Sequence, residues 1–211
     1  QAVRLSDVVG EDADYIYEAK DTFAVESEED WKAFSTLIEE GYKNFAGKTV
    51  ILTKDITVTT PIKMGIDEKN SFYCFSGTFD GQGNTITMHL SWSLPETNPY
   101  VWAYGLFTEV GTYGETTCIK NLVLDGDLNV SREGAAEPYE AVGGLVGTND
   151  YELHIENVMN SVNIHADQVF AIAGFVGYAG PKTTITKCAS LGNIQSQSAA
   201  AAGYLYAEYD V

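Results

Sequence analysis

The sequence predicts an all-β protein built as a parallel β-helix of about five to six coils, with an α-helix covering its first coil. Three observations carry this. One element recurs, as Gly105-Leu106-Phe107, Gly144-Leu145-Val146-Gly147, Gly174-Phe175-Val176-Gly177 and Gly203-Tyr204-Leu205, with first glycines 39, 30 and 29 residues apart. A second element follows each of the first three, led by Ile119, Ile155 and Ile185. Between these elements the chain has strand-like composition and no 3.6-residue periodicity, as in Val158–Ile164 and Ala171–Val176.

The second element keeps its register. Three residues after each isoleucine stands Leu122, Val158 or Cys188, and nine residues after it Leu128, Ile164 or Ile194. A repeat of about thirty residues with short strands and no helix is too short for a propeller blade and lacks leucine-rich-repeat spacing. Stacked coils turn equivalent residues into ladders about 4.8 Å apart. Ile119/Ile155/Ile185 and Leu128/Ile164/Ile194 are therefore expected as apolar columns, joined by turns at Asp80-Gly81-Gln82-Gly83-Asn84, Asp125-Gly126 and Gly192-Asn193.

These residues resemble the GLUG-motif repeats of bacterial surface proteins. Gly144-Leu145-Val146-Gly147 matches the motif, Gly174-Phe175-Val176-Gly177 replaces its leucine with phenylalanine, and Phe79–Ile86 is similar to the segment that often precedes such repeats. The similarity covers roughly residues 27–207. It implies a right-handed β-helix in adhesin-like extracellular proteins or in accessory regions of secreted proteases, and no catalytic residues.

At the amino end, Ser27-Glu28-Glu29-Asp30 reads as a capping box. Trp31, Phe34, Leu37 and Ile38 then fall on one face, and Gly41 is a stop signal, so a helix is expected over about Glu28–Glu40. Its apolar stripe would lie over the coil that opens near Thr49–Leu52, since a bare solenoid end exposes strand edges and apolar ladders. Residues 1–47 are thus read as an N-terminal segment with a capping helix, and 48–211 as the β-helix. Residues 1–26 read equally as an added strand or a linker. At the other end the next leading isoleucine falls due after Val211, so the last coil is expected to be incomplete, with the parent chain continuing into further domains or, as the lesser alternative, the terminus docking against another chain.

Composition bounds function. The formal charge is −18, with 30 acidic residues against 12 basic, which disfavours nucleic acid and anionic membrane surfaces. No apolar run reaches the ~20 residues of a membrane span. Cys74, Cys118 and Cys188 are odd in number and widely spaced, so they read as small core residues. Asp127, Asn163 and Asn193 share one column and Asn121, Asn157 and Lys187 another. A cation held by one carboxylate and two amides is a weak set, so both columns read as turns and ladders. His89, His154 and His165 show no ligand spacing, and Asp80-Gly81-Gln82-Gly83 lacks the lysine of a phosphate loop. No metal site, cofactor or catalytic constellation is expected.

Binding is expected in the loops. Leu90–Tyr104 reads as an irregular loop carrying Trp92, Tyr100 and Trp102, and Asn129–Tyr139 as a polar insertion carrying Arg132. Those aromatics either stand exposed, to meet sugar rings or a protein surface, or fold back over the coil. The sequence thus predicts a non-enzymatic structural and adhesive module of a bacterial cell-surface or secreted protein. Its expected partners are a glycan or a host protein, met through Trp92, Tyr100, Trp102 and Arg132. A polysaccharide lyase or hydrolase is the alternative.

Overall fold

The computed structural model describes residues 1–134, 138–197 and 200–207. The chain is mostly β, and its long sheets are parallel. The strands fall into four bands. The first runs Val3–Arg4, Thr22–Val25, Thr49–Leu52, Thr78–Asp80, the start of Thr117–Arg132, Leu153–Asn160 and Thr183–Thr186. The second runs Ile56–Val58, Thr85–Leu94, the rest of Thr117–Arg132, Asn163–Ala166 and Ile194–Gln195. The third is Ala103–Tyr104, Ala141–Gly143, Ala171–Ala173 and Ala200–Ala202, and the fourth Phe107–Val110, Val146–Asn149 and Val176–Ala179. Among the described strands the one antiparallel pair is Gly65–Ile66 with Phe72–Tyr73.

Register follows the sequence columns. Ile119 pairs with Ile155 and Ile155 with Ile185, while Leu128 pairs with Ile164 and Ile164 with Ile194. The first two members of each column are buried and join one continuous hydrophobic core, and Ile185 and Ile194 pack against it half-buried. Leu106, Leu145 and Phe175, the second residues of the recurring glycine element, are fully buried, and Phe175 stacks on Tyr204 at 5.7 Å.

Close approach explains the recurring glycines. A Cβ on Gly144 would fall on the carbonyl oxygen of Gly174 and 2.6 Å from Asn160 Nδ2. One on Gly177 would lie 2.6 Å from the Val142 carbonyl carbon. Neighbouring turns of chain pass too near for any side chain there. The Asn121, Asn157 and Lys187 column makes a different corner, with φ of 54°, 53° and 53°. Asparagine tolerates this left-handed backbone, and its amides link the turns. Asn157 Nδ2 donates to Asn121 Oδ1 at 2.9 Å, and Asn121 Nδ2 to Asp80 Oδ1 at 3.1 Å.

Helix α1 spans Ala13–Ala19 and helix α2 spans Glu28–Glu39. Ser27 caps α2 as expected, its Oγ accepting from Asp30 N at 3.2 Å. The reciprocal bond is displaced by one residue: the Asp30 carboxylate accepts from Glu26 N at 2.9 Å. Asp30 has no exposed surface and also takes Ser6 N at 3.0 Å and the Arg4 guanidinium at 3.0 and 3.1 Å. The left-handed residue beyond α2 is Tyr42 at φ 55° rather than Gly41, which is needed because a Cβ there would lie 2.8 Å from the Leu37 carbonyl oxygen. Trp31, Phe34 and Ile38 are fully buried. Trp31 meets Phe79 and Phe107 edge-on at 6.0 and 5.9 Å, and its Nε1 donates to the Thr60 carbonyl at 2.8 Å.

Of the two readings left open for residues 1–26, the structure has the added strand: Thr22–Val25 pairs with Thr49–Leu52 and Val3–Arg4 with Thr22–Val25, so the first band begins before residue 48. One expectation needs correcting: both expected loops begin as strand. Leu90–Leu94 pairs with Leu128–Arg132, and the irregular stretch starts only at Pro95, which has no N–H for a ladder. Residues 135–137 of the expected insertion, and the end of the expected incomplete coil at 208–211, lie outside the described residues.

Candidate functional site: two clefts sharing Trp102

The 95–102 segment leads into the strand Ala103–Tyr104 and carries Trp102 just before it. Two concavities open beside it, of about 420 and 470 Å³, within the range of small-ligand sites. The first lies between Trp92, Trp102, Val101 and Met64 and is rimmed by Glu39, Glu40 and Glu96. The second lies between Phe72, Tyr100, Trp102, Tyr113 and Tyr151 and includes Asp150. Trp102 and Glu109 line both.

Three of the four expected binding residues come together here. Trp92, on the strand Thr85–Leu94, is half-buried with its ring 5.1 Å from that of Tyr104. Tyr100 is 41% exposed and meets Phe72 edge-on at 5.7 Å. Trp102 is half-buried and leans on Tyr178 at 5.9 Å, which continues into Phe170 and Tyr206. The aromatics thus combine the two options the sequence left open: each touches another ring, and each lines a cleft.

Arg132 does not join them. Its side chain is 2% exposed and forms an ion pair with Glu140, also 2% exposed, while its Nε donates to the Gln168 carbonyl at 3.1 Å. A guanidinium committed to a buried pair is closed to a ligand. Its removal from the expected set follows from where Glu140 sits, just before the strand Ala141–Gly143.

Glu109 is the residue the sequence reading missed. It stands on the strand Phe107–Val110, paired with Thr148, and burial, with a smaller contribution from the charge of Asp150, pushes its carboxyl up to about 7. The described residues give that carboxylate no hydrogen bond and no cation. A signal was present: Glu109, Thr148 and Tyr178 all lie four positions after the first glycine of the recurring element, a column in which one member is ionisable. Cys74, beside Glu109 in the second cleft, is buried, and burial raises its thiol far above the ordinary range, so it is no nucleophile.

Elsewhere the polar columns satisfy themselves. Asp127 is held by His89 Nδ1 at 2.7 Å and by Asn129 Nδ2 at 3.0 Å, and Asn163 Oδ1 accepts from Asn193 N at 3.1 Å. His154 lies between Glu152 and Thr184, and His165 faces Asp167 at 3.2 Å. Asp80 accepts from Gln82 N at 3.0 Å, an Asx turn. Among the described residues no three His, Cys, Asp or Glu side chains converge as metal ligands, and no helix is long and apolar enough to cross a membrane. Comparison with family models, curated proteins and solved structures returned no match.

Proposed function

We propose that this chain is a right-handed parallel β-helix, closed at its first coil by α2, that serves as a non-enzymatic structural and adhesive module of a bacterial cell-surface or secreted protein. The solenoid reading is supported by parallel pairing that recurs at an offset of thirty residues in each of the four bands, and the hand by the strong right-handed preference of parallel crossovers. The capping role of α2 is supported by the burial of Trp31, Phe34 and Ile38 against Phe79 and Phe107. Strands on which Trp92 and Trp102 pack hold these rings in place before a ligand arrives, which lowers the entropy lost on binding.

One observation carries the adhesive part: Trp102 lines two concave clefts, with Trp92 as the other aromatic of the first and Phe72, Tyr100, Tyr113 and Tyr151 as those of the second. Amphipathic rings presented in a concavity suit the faces of sugar rings or a protein hot spot. Screening the 211-residue protein on arrays of glycans and host surface proteins tests the reading. It predicts a hit that weakens by about tenfold or more in Trp102→Ala, and a hit indifferent to Trp92 and Trp102 substitution places the contact elsewhere.

A carbohydrate-active enzyme remains the second reading, and Glu109 favours it. A carboxyl with a raised pKa beside a second acid, Asp150, within an aromatic cleft has the character of a general acid. Turnover of polysaccharides that is lost in Glu109→Gln would replace the adhesive reading. Absence of product from a broad substrate panel retains it.

A further inference from the structure

We infer that the paired clefts form one continuous site for an oligosaccharide of unacetylated amino sugars, its ring faces resting on Trp102 and its ammonium groups meeting Glu109 and the acidic rim. This rests on the adhesive reading and names the ligand class for that same site. Its first basis is continuity. Two concavities of about 420 and 470 Å³ have Trp102 and Glu109 in common, so units of a linear ligand seated in either one meet the same ring and the same carboxylate. The second is charge complementarity. Glu39, Glu40, Glu96, Glu109 and Asp150 face one cation, Lys63, five to one in a chain whose whole ratio is 30 to 12. The aromatic surroundings act with the same sign, because ring faces attract ammonium groups and repel carboxylates. Third, Glu109 is poorly solvated and has no partner among the described residues. An ammonium beside it would supply the missing charge and restore its ionised form.

An acidic glycan is disfavoured by this field, and a neutral one would leave Glu109 uncompensated. A basic peptide shares the ammonium chemistry but not the flat alternating faces that suit Trp102 and Tyr100.

Titration calorimetry of the full chain near neutral pH, with hexamers of glucosamine, N-acetylglucosamine and glucose and with hexalysine, tests the inference. The glucosamine hexamer should bind about tenfold or more tightly than either other sugar. Glu109→Gln, nearly isosteric, should remove most of that preference while leaving the thermal midpoint unharmed, and Trp102→Ala should weaken all three sugars. Equal binding of acetylated and unacetylated hexamers through Trp102 overturns the amine recognition and leaves the adhesive reading standing. Hexalysine that binds as tightly as the glucosamine hexamer and competes with it overturns the sugar in favour of a basic peptide. Binding of none of the four overturns the inference outright, and the array screen then decides the adhesive reading on its own.

Discussion

Asp30→Ala should destabilise the protein by about 3–5 kcal/mol, the cost of breaking a buried pair from one side. The estimate can be built from the contacts. Two backbone N–H groups, Ser6 at 3.0 Å and Glu26 at 2.9 Å, end on this one carboxylate, and each left unpaired costs about 1–3 kcal/mol. The favourable position of an anion in the first turn of α2 is worth a further ~0.3–1 kcal/mol. Arg4 adds little, because its side chain is 42% exposed and can return to water. Asp30→Asn keeps the shape and one acceptor, so about half the loss is expected. In a protein of this size 1 kcal/mol moves Tm by ~2–4 °C, so the alanine variant should melt roughly 6–20 °C lower. Burial raises the Asp30 pKa, but hydrogen bonds from Ser6, Glu26 and Arg4 outweigh it and hold the native carboxyl below its ordinary 3.8. The ionised form therefore stabilises above that value, and its contribution is lost as pH falls through the lower native pKa. The gap between wild type and Asp30→Ala in urea unfolding should accordingly narrow below pH ~4. A loss under 1 kcal/mol, or a gap that widens with acid, would refute the reasoning.

Further outcomes follow from other contacts. Gly144→Ala should cost about 1–3 kcal/mol, because its Cβ meets the backbone of Gly174 and the amide of Asn160, and unfolding curves will show whether it does. Asn157→Ala should lose about 1–2 kcal/mol through its left-handed backbone and the broken amide to Asn121, whereas Asn157→Gly should lose less. Glu109, raised from 4.5 to about 7 chiefly by burial, should make the wild type lose stability as pH rises between those values. Glu109→Gln should remove that slope and gain about 1–3 kcal/mol over the wild type at pH ~8, read from melts at several pH values. Cys74, its thiol pushed up by burial, should resist alkylation in the folded protein and react at once in denaturant, as mass spectrometry can follow.

The columns were legible because a parallel stack makes register a matter of counting. Ile119, Ile155 and Ile185 pair as counted, and so do Leu128, Ile164 and Ile194. The capped helix was legible because Ser27 and the spacing of Trp31, Phe34 and Ile38 are local signals. For residues 1–26 strand and linker stood equal, since Thr22–Val25 becomes a strand only by pairing with Thr49–Leu52, a contact no local pattern announces. Trp92, Tyr100 and Trp102 were singled out by residue type, and in the structure they line the two clefts. Arg132 was misjudged because its fate depends on Glu140, eight residues further on. Glu109 escaped because a lone glutamate on a strand looks like solvent-facing surface until Trp102 and the 95–102 segment cover it.

The strand Thr117–Arg132 is bonded on one side to Thr78–Asp80 and Thr85–Leu94, and on the other to Leu153–Asn160 and Asn163–Ala166. Stacked repeats ordinarily come apart one at a time, each held only by its neighbours. Here a single sixteen-residue span belongs to two bands at once, so opening it breaks ladders on both faces together. Its amides should be the last to exchange with deuterium, and the halves of the molecule on either side should melt as one unit through it. A force applied along the chain should meet its largest resistance there.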